Sequence, residues 1–497
     1  MKTVRSKTRI PAIDTILSRL QQQNGSAQLC GLKGSAAAFV LHELIACGSP
    51  ELLIITADQE SAEELGRELA FFGAPALLFP AWDMSPFSAA SPHPDVVAAR
   101  LDVLLRLHNS QARLVVMPVA AALQRVLPRS VFGAASCYLV TGEEFEREEL
   151  LGRLIRMGYA HVPLVEDRGS FAVRGGILDI FPPGQPAPVR IEFFGDTVET
   201  MRTFDPLTQR SLHALDELVL LPSRELLLTE EVLEELPPRL KQCCDGLDIP
   251  ANRRREILED LKNGVYFRGI EFLQPLLHPE LESIFDYTPA ARLVLLDPEA
   301  VRDAVAVFCD EVARGEAGAV EQALPHCDAA ELYLSRHDLN TMLQTRSRLE
   351  LGGLAVQAGE VDNPVTIACR DNSHLRVTVS RETTHALGPL AEELKNMLQQ
   401  GYDVCVACHQ QPQAERLKEL LEPYGVRCLI SATGFGEAPA AITPIPVMNQ
   451  EGAVKLLHGD ISRGFQLPEA CLAVIAEEEL FGKRVRRSGL SEVRKKQ

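Results

Sequence analysis

The sequence predicts an α/β protein with a parallel sheet, a small α+β unit inserted after that sheet's first strands, and a separate α/β unit towards the C-terminus. Short apolar runs alternate with amphipathic helix patterns in two stretches, at 28–135 and again from about residue 351. Between them lies a block of strands punctuated by Pro and Gly that ends near Pro222. With 497 residues, the chain is too long for one compact core and long enough for about three or four domains.

The first stretch supplies the elements of a parallel sheet. Apolar runs at 52–56, 76–79 and 114–117 predict buried strands. Helices are predicted at 61–72 and 95–108, where apolar residues recur at spacings of three and four. This alternation favours a doubly wound sheet with helices on both faces.

The next residues interrupt that pattern. A charged helix pattern at 142–159 opens the α+β unit, which we assign to 137–225. Residues 226–345 are predicted to be mostly helical, but a buried strand at 293–296 would complete the first sheet. The first domain is therefore predicted to be discontinuous, with its two parts at 1–136 and 226–345.

The C-terminal residues predict a second α/β domain and a tail. We assign residues 346–482 to the domain, and residues 483–497 carry seven Lys or Arg against one Glu, which predicts a basic helical tail or linker. The domain's predicted strands lie at 404–407, 428–431 and 472–476, and its predicted helices at 387–399 and 413–421.

Composition and charge restrict the class of protein. Apolar residues make up 46% of the chain and charged residues 24%, which is typical of folded domains. The net charge of −18 disfavours broad binding to nucleic acid, which positive charge drives. No uncharged apolar stretch of 18 residues occurs, and the twelve scattered cysteines favour reduced thiols, so we expect a cytoplasmic protein without disulfides or a membrane contact.

Motifs for metal binding or catalysis are absent from the sequence. Cys405, Cys408 and His409 have the C-x-x-C-H spacing, but two positions three apart on a buried strand point to opposite faces and cannot share one ligand. The basic run at 253–255 and the tail are interpreted as solvated helix faces. We assign no catalytic residue and no metal ligand.

A degenerate phosphate loop follows the first apolar run. Gly31, Gly34 and Ser35 connect that run to a helix, as in a nucleotide-binding loop. A working loop ends in Gly-Lys-Thr/Ser, whereas Ala36, Ala37 and Ala38 occupy those places here. Each lost charge-assisted contact is worth roughly 1.5–3 kcal/mol, and the Mg²⁺-binding hydroxyl is lost with them. We therefore expect no ATP hydrolysis.

An acidic motif is degenerate in the same way. The buried strand at 293–296 is followed by Asp297, Pro298 and Glu299, and Pro298 occupies the place where a nucleotide-driven enzyme carries its second adjacent acid. Each motif alone is also explained by an ordinary strand-to-helix turn. Together they indicate a nucleotide-binding fold that has lost its reactive groups.

One strand of the α+β unit has an unusual outer face. Strict alternation at 189–194 buries Val189, Ile191 and Phe193 and turns Arg190, Glu192 and Phe194 outward. Aromatic and Arg side chains are enriched in protein interfaces. A solvated arginine with Phe194 covered by a neighbouring loop is the alternative.

Several motifs, taken together, resemble the N-terminal part of the bacterial transcription-repair coupling factor (Mfd) family, whose first three domains are similar to the excinuclease subunit UvrB. The similarity covers nearly the whole chain. The motifs lie at 82–87 (WDMSPF), 91–95 (SPHPD), 100–101 (RL), 174–182 (RGGILDIFP), 189–196 (VRIEFFGD), 204–210 (FDPLTQR), 269–275 (GIEFLQP), 464–468 (GFQLP) and 479–482 (ELFG).

The resemblance implies a discontinuous, degenerate RecA/helicase-like domain that carries an inserted UvrA-binding domain. It implies that this region recruits UvrA to stalled transcription complexes, and that the family's UvrA contacts fall on Arg174, Arg190 and Phe194. It also implies that RNA polymerase, DNA, ATP and Mg²⁺ bind other domains of the family, so no cofactor is expected here. Since the chain ends inside a basic stretch, we expect a fragment of a longer protein.

Two alternatives to a non-catalytic adaptor stay open. One is a nucleotide-dependent helicase or UvrB itself, although UvrB needs an intact phosphate loop. The other is a regulatory clamp, in which a C-terminal domain absent from this chain masks the UvrA-binding surface by intramolecular contact. For the adaptor, we expect Arg190→Glu or Phe194→Ala to weaken UvrA binding with little change in the melting temperature.

Overall fold

The computed structural model describes residues 10–22, 25–49, 51–353, 363–375, 387–430 and 452–481. In these ranges the strands form sheets of seven, six, five and two strands. The basic tail and the last residue of the motif at 479–482 lie outside the described residues. None of the helices in the described part of the chain combines the length and the apolar character needed to cross a bilayer.

The first unit, residues 10–135, alternates strands and helices as its sequence predicts. The predicted strand at 52–56 and the helices at 61–72 and 95–108 are confirmed to within two residues. The elements are α1 (Pro11–Leu20), β1 (Ser26–Cys30), α2 (Ala36–Ala46), β2 (Leu52–Thr56), α3 (Gln59–Phe71), β3 (Leu77–Leu78), α4 (Pro94–His108), β4 (Leu114–Pro118), α5 (Val119–Leu123) and α6 (Arg129–Ala135).

The inserted unit is an antiparallel sheet with one parallel edge pair, β6 and β7. Its strand order is β11-β10-β9-β8-β7-β6, while β5 and β12 pair with each other alongside it. The elements are β5 (Cys137–Val140), α7 (Arg147–Arg156), β6 (Ala160–His161), β7 (Ser170–Arg174), β8 (Ile177–Ile180), β9 (Val189–Phe194), β10 (Thr197–Phe204), β11 (Ser211–Leu215) and β12 (Glu217–Leu220).

A mostly helical region follows and then returns to the first sheet. Its early helices pack around their own core, which includes Leu236, Leu240 and Ile257. The elements are α8 (Glu230–Gly246), α9 (Ala251–Lys262), α10 (Gln274–Leu277), α11 (Ile284–Tyr287), β13 (Arg292–Leu296), α12 (Pro298–Glu321), α13 (Ala329–Leu332), α14 (Arg336–Thr345), β14 (Arg348–Leu351) and β15 (Val365–Thr366).

The seven-stranded sheet is entirely parallel and has the order β15-β1-β14-β13-β2-β4-β3. The sequence correctly predicts that β13 joins this sheet. Two further strands differ from the prediction, because β14 and β15 follow the boundary drawn at residue 345 and yet belong to this sheet. Successive side chains pack on opposite faces, with Ile54 against α1–α3 and Leu53 against α4, α5 and α12.

The C-terminal α/β unit has the strand order β17-β18-β16-β20-β19, in which only β19 is antiparallel. One face carries its own helices, whereas Ala407 and Val474 on the other face belong to the core of the first unit. The elements are α15 (Gly388–Gln399), β16 (Asp403–Cys408), α16 (Gln411–Leu421), β17 (Cys428–Ile430), β18 (Val454–His458), β19 (Phe465–Leu467), β20 (Leu472–Ala476) and α17 (Glu477–Phe481).

A buried ion pair joins the first unit, the end of the inserted unit and the helical region. The Arg100 guanidinium donates to both carboxylate oxygens of Glu225, at 2.6 and 3.1 Å, and to the Pro80 carbonyl at 2.8 Å. The indole of Trp82 also donates to Glu225, and Gln274 donates to the Glu225 carbonyl. The motifs at 82–87, 100–101 and 269–275 therefore contribute side chains to this junction.

Candidate partner-binding surface and degenerate phosphate loop

Strand β9 has the alternating burial that its sequence predicts. Val189, Ile191 and Phe193 are buried, whereas Arg190 and Glu192 are half-buried and the Phe194 side chain is 80% exposed. Phe194 pairs with Thr197 across the turn that joins β9 to β10. The structure therefore leaves a large aromatic ring uncovered at the tip of a hairpin, and the predicted orientation of Phe194 is confirmed.

Arg174 lies at the same end of the sheet as Phe194. It pairs with Ile177 across the tight turn from β7 to β8, and Ile177 pairs in turn with Glu192 on β9. The two turns are close, since the Phe193 amide donates to the Gly176 carbonyl at 2.8 Å. Arg174 is exposed and its guanidinium donates to the Pro163 carbonyl at 3.0 Å, which leaves much of its charge facing solvent.

Arg190 is more tightly held than the other two predicted contact residues. Its guanidinium makes a bidentate pair with the buried Asp179 carboxylate on β8, at 2.7 and 2.9 Å, and lies 4.8 Å from the centre of the Phe204 ring. Only 20% of the Arg190 side chain is exposed. Sequence reasoning missed Asp179, although its position between buried Leu178 and Ile180 places it on the outer face with Arg190.

The degenerate phosphate loop, residues 31–38, has the expected strand-to-helix path. Gly31 and Gly34 have positive φ angles of 89° and 52°, a conformation that favours glycine. The alanines at 36–38 form the first turn of α2 and are buried, as is Ser35. Lys33, which precedes this turn, forms an ion pair with Asp371 at 3.2 Å.

The degenerate acidic motif acts as a helix cap in this structure. The Asp297 carboxylate accepts a hydrogen bond from the Ala300 amide at 3.3 Å, and Pro298 is the first residue of α12. Glu299 is exposed on the same turn. The phosphate loop and Asp297 follow the carboxyl ends of β1 and β13, which lie on the same side of the parallel sheet. Because β14 separates these two strands, the two motifs are roughly 10 Å apart in the strand-pairing direction.

The described residues contain no group of three His, Cys, Asp or Glu side chains arranged to hold a metal ion. Cys405 and Cys408 are both buried on β16 and carry free thiols. Burial raises the pKa of each thiol to about 12, which keeps both sulfurs protonated and unreactive at neutral pH.

The fold and these two sites define a class of protein, namely an α/β protein with a nucleotide-binding frame and an inserted interaction domain. Residues 137–226 match the family described as UvrB interaction domain. This range includes the whole inserted sheet and both hairpin tips.

The chain is also similar along most of its length to transcription-repair-coupling factors. It is 35% identical to that of Myxococcus xanthus over 474 residues, which cover 92% of this chain and 39% of the relative. It is 27% identical to that of Escherichia coli over 478 residues, covering 93% and 39%. The chain spans about 39% of the length of these relatives, and the matched part is their N-terminal region. The resemblance indicated by the sequence motifs is therefore confirmed.

Proposed function

We propose that this chain is a non-catalytic adaptor that binds UvrA through the outer face of the inserted sheet during transcription-coupled nucleotide excision repair. The observation that carries the proposal is the 80% exposure of Phe194 on a hairpin tip beside Arg174. Aromatic and arginine side chains dominate the binding energy of many interfaces. Burying one Phe side chain contributes roughly 1.5–3 kcal/mol.

The positions of these side chains on the sheet also support an assignment of which of them contact UvrA. Phe194 and Arg174 lie on adjacent turns, and Glu192 lies between them on the same face. Such a patch combines one apolar anchor with charges of both signs, which fits a protein surface better than a polyanion. We infer that Phe194 and Arg174 contact UvrA directly, whereas Arg190 positions the outer face through Asp179.

The adaptor role is supported by the chemistry of the phosphate loop. The buried alanines at 36–38 provide neither the charge that meets the phosphates nor the hydroxyl that holds Mg²⁺. The proposal assigns ATP-driven translocation, RNA polymerase binding and DNA binding to regions outside this chain.

The test is a titration of the chain and its Phe194→Ala variant against purified UvrA, by calorimetry or interferometry. We expect the dissociation constant to rise about tenfold or more, because the variant loses an apolar anchor. The melting temperature should stay within a degree or two, since Phe194 contributes little to the core.

Leu207→Ala is the matched control. Leu207 is 88% exposed and lies in the loop after β10 of the same unit, so the variant removes a comparable apolar side chain elsewhere on the surface. We expect its UvrA affinity to equal that of the unaltered chain. Equal affinities for both variants would reject the Phe194 surface.

A further inference from the structure

The amides of a working phosphate loop donate hydrogen bonds to phosphate oxygens. In this chain a backbone carbonyl takes that place, since the Ser35 amide donates to the Arg463 carbonyl at 2.9 Å. Arg463 belongs to residues 461–467 of the C-terminal α/β unit, which we name the closing segment. The loop is therefore in direct hydrogen-bond contact with a segment more than 400 residues later in the chain.

The close approach of the two backbones depends on glycine. A Cβ atom added at Gly34 would lie 2.4 Å from the Gly464 carbonyl oxygen and 2.7 Å from the Arg463 carbonyl oxygen. At Gly31 it would lie 2.5 Å from the Ile367 carbonyl oxygen. Because the backbones are this close at the two glycines, no room is left for a phosphate group between the loop and the residues opposite it.

Side chains of the closing segment extend the contact over the adjacent helices. Phe465 is fully buried, with its ring centre 5.8 Å from that of Phe39 on α2 and 6.2 Å from that of Phe72. The Glu68 carboxylate on α3 accepts hydrogen bonds from the Ser462 amide at 3.1 Å and the Ser462 hydroxyl at 2.6 Å. The interface thus has an apolar centre and a buried polar contact.

The C-terminal unit holds the closing segment in place from the other side. Fully buried Asn372 donates to the Val474 carbonyl at 2.7 Å and accepts from the Gln466 side chain at 3.0 Å. A Cβ atom at Gly464 would lie 2.1 Å from the Val474 carbonyl oxygen. The Glu479 carboxylate accepts from Asn372 at 3.3 Å and from the Ala476 amide at 3.0 Å. The motifs at 464–468 and 479–482 therefore contribute to the geometry of this segment.

We propose that the degenerate phosphate loop is a docking surface for the chain's own C-terminal α/β unit, with the closing segment as its permanent occupant. The alanines at 36–38 belong to the same buried core as Phe465, so their small side chains suit this contact. Docking closes the loop to nucleotides and holds the two α/β units in one fixed arrangement. This assigns a role to the C-terminal unit that is independent of UvrA binding.

The test is hydrogen exchange on the whole chain, comparing Gly34→Ala with Gly48→Ala. Both glycines have positive φ angles, 52° and 86°, so both variants strain the backbone, but only a Cβ at residue 34 meets the closing segment. We expect Gly34→Ala to raise amide exchange in peptides covering residues 31–39 and 459–468 on the order of tenfold. Gly48→Ala should leave both peptides as slow as in the unaltered chain.

A second variant covers the case in which Gly34→Ala fails to fold. Ser462→Ala removes the hydroxyl that donates to Glu68 without adding an atom, and we expect faster exchange at 459–468 with the inserted sheet unchanged. Unchanged exchange in Ser462→Ala and in any folded Gly34→Ala protein would overturn the proposal. Saturable binding of a fluorescent ATP analogue to the unaltered chain, with new protection at 31–39, would overturn it as well.

Discussion

Among the three residues assigned to the partner-binding surface, Arg190 differs because the fold already uses its charge. Its bidentate partner Asp179 is 3% exposed, so Arg190→Glu would place two carboxylates together in a poorly solvated site. Removing one member of a buried pair costs about 3–5 kcal/mol, less here because Arg190 is partly exposed. The expectation that this change leaves the melting temperature nearly unaltered therefore has no support in the geometry, and Phe194→Ala is the cleaner probe.

Glu68 is buried at the interface between the two α/β units, where we expect it to make the stability of the protein depend on pH. Burial raises the pKa of its carboxyl group to about 7, although both hydrogen bonds from Ser462 favour the ionised form. Its other charged neighbours on α3 are Glu64, which raises the pKa further, and Arg67, which lowers it. Because the folded protein binds this proton more tightly than the unfolded chain, the free energy of unfolding should fall as pH rises from about 4.5 to 7.

We predict that Glu68→Gln removes this pH dependence and makes the protein more stable than the unaltered chain at pH 8, on the order of 1–3 kcal/mol. The amide oxygen can still accept from Ser462 and carries no charge to desolvate. Urea denaturation at pH 6 and pH 8 measures the effect. Glu60→Gln is the control, because Glu60 is an exposed residue on the same helix. A Glu68→Gln variant that is less stable than the unaltered chain at pH 8 would contradict the prediction.

At the scale of secondary-structure elements, the Arg100–Glu225 pair joins α4, the end of the inserted unit and α10. Both side chains are buried, at 0% and 2% exposure. We predict that Glu225→Gln lowers the free energy of unfolding by about 3–5 kcal/mol, because the Arg100 charge is left without a carboxylate in an apolar site.

Urea denaturation with Glu230→Gln as control tests this role of Glu225. Glu230 is 83% exposed and only 3.9 Å from Arg156, so its replacement should change stability by less than about 0.5 kcal/mol. Equal stabilities for the two variants would show that the buried pair is not what holds these elements together.

The elements differ in how well the sequence predicts them. Strand β2 and helix α4 carry local patterns, a continuous apolar run and a repeat at helical spacing, and both are confirmed. Strand β14 is buried but has the mixed sequence RLEL, in which Arg348 and Glu350 form an ion pair with each other at 3.2 Å. It therefore lacks the continuous apolar run that would indicate a buried strand. Strand β14 pairs with β1, which lies more than 300 residues earlier in the chain, and no local sequence pattern indicates such a pairing.

The same limit applies to the candidate sites. Alternation along β9 predicts which side chains point outward, including Phe194, because the period of a strand is a local property. It does not predict that Asp179 holds Arg190 or that Arg463 meets Ser35, since those contacts depend on register between strands and on packing between units.

At the scale of the whole molecule, the degenerate loop separates an adaptor from a nucleotide-driven helicase of the UvrB class. Lys33 is the one basic residue of this loop and is paired with Asp371, and the Ser35 amide already donates to the Arg463 carbonyl. The net charge of −18 further disfavours DNA as an activator. We predict no ATP turnover above background, with or without duplex DNA. The assay is run at about 150 mM salt, which is close to physiological ionic strength.

Phosphate release from ATP measures this, with a cooperative urea unfolding transition as proof that the preparation is folded. The Ala37→Lys variant is a further test of the loop. A lysine at that place restores the contact with the phosphates, but it restores neither the hydroxyl that holds Mg²⁺ nor the space for a nucleotide in the loop. We expect it to hydrolyse no more ATP than the unaltered chain. DNA-stimulated turnover by the unaltered chain would contradict this prediction and assign the chain to the helicase class. It would show that the Mg²⁺ ligand comes from a residue other than the alanines at 36–38.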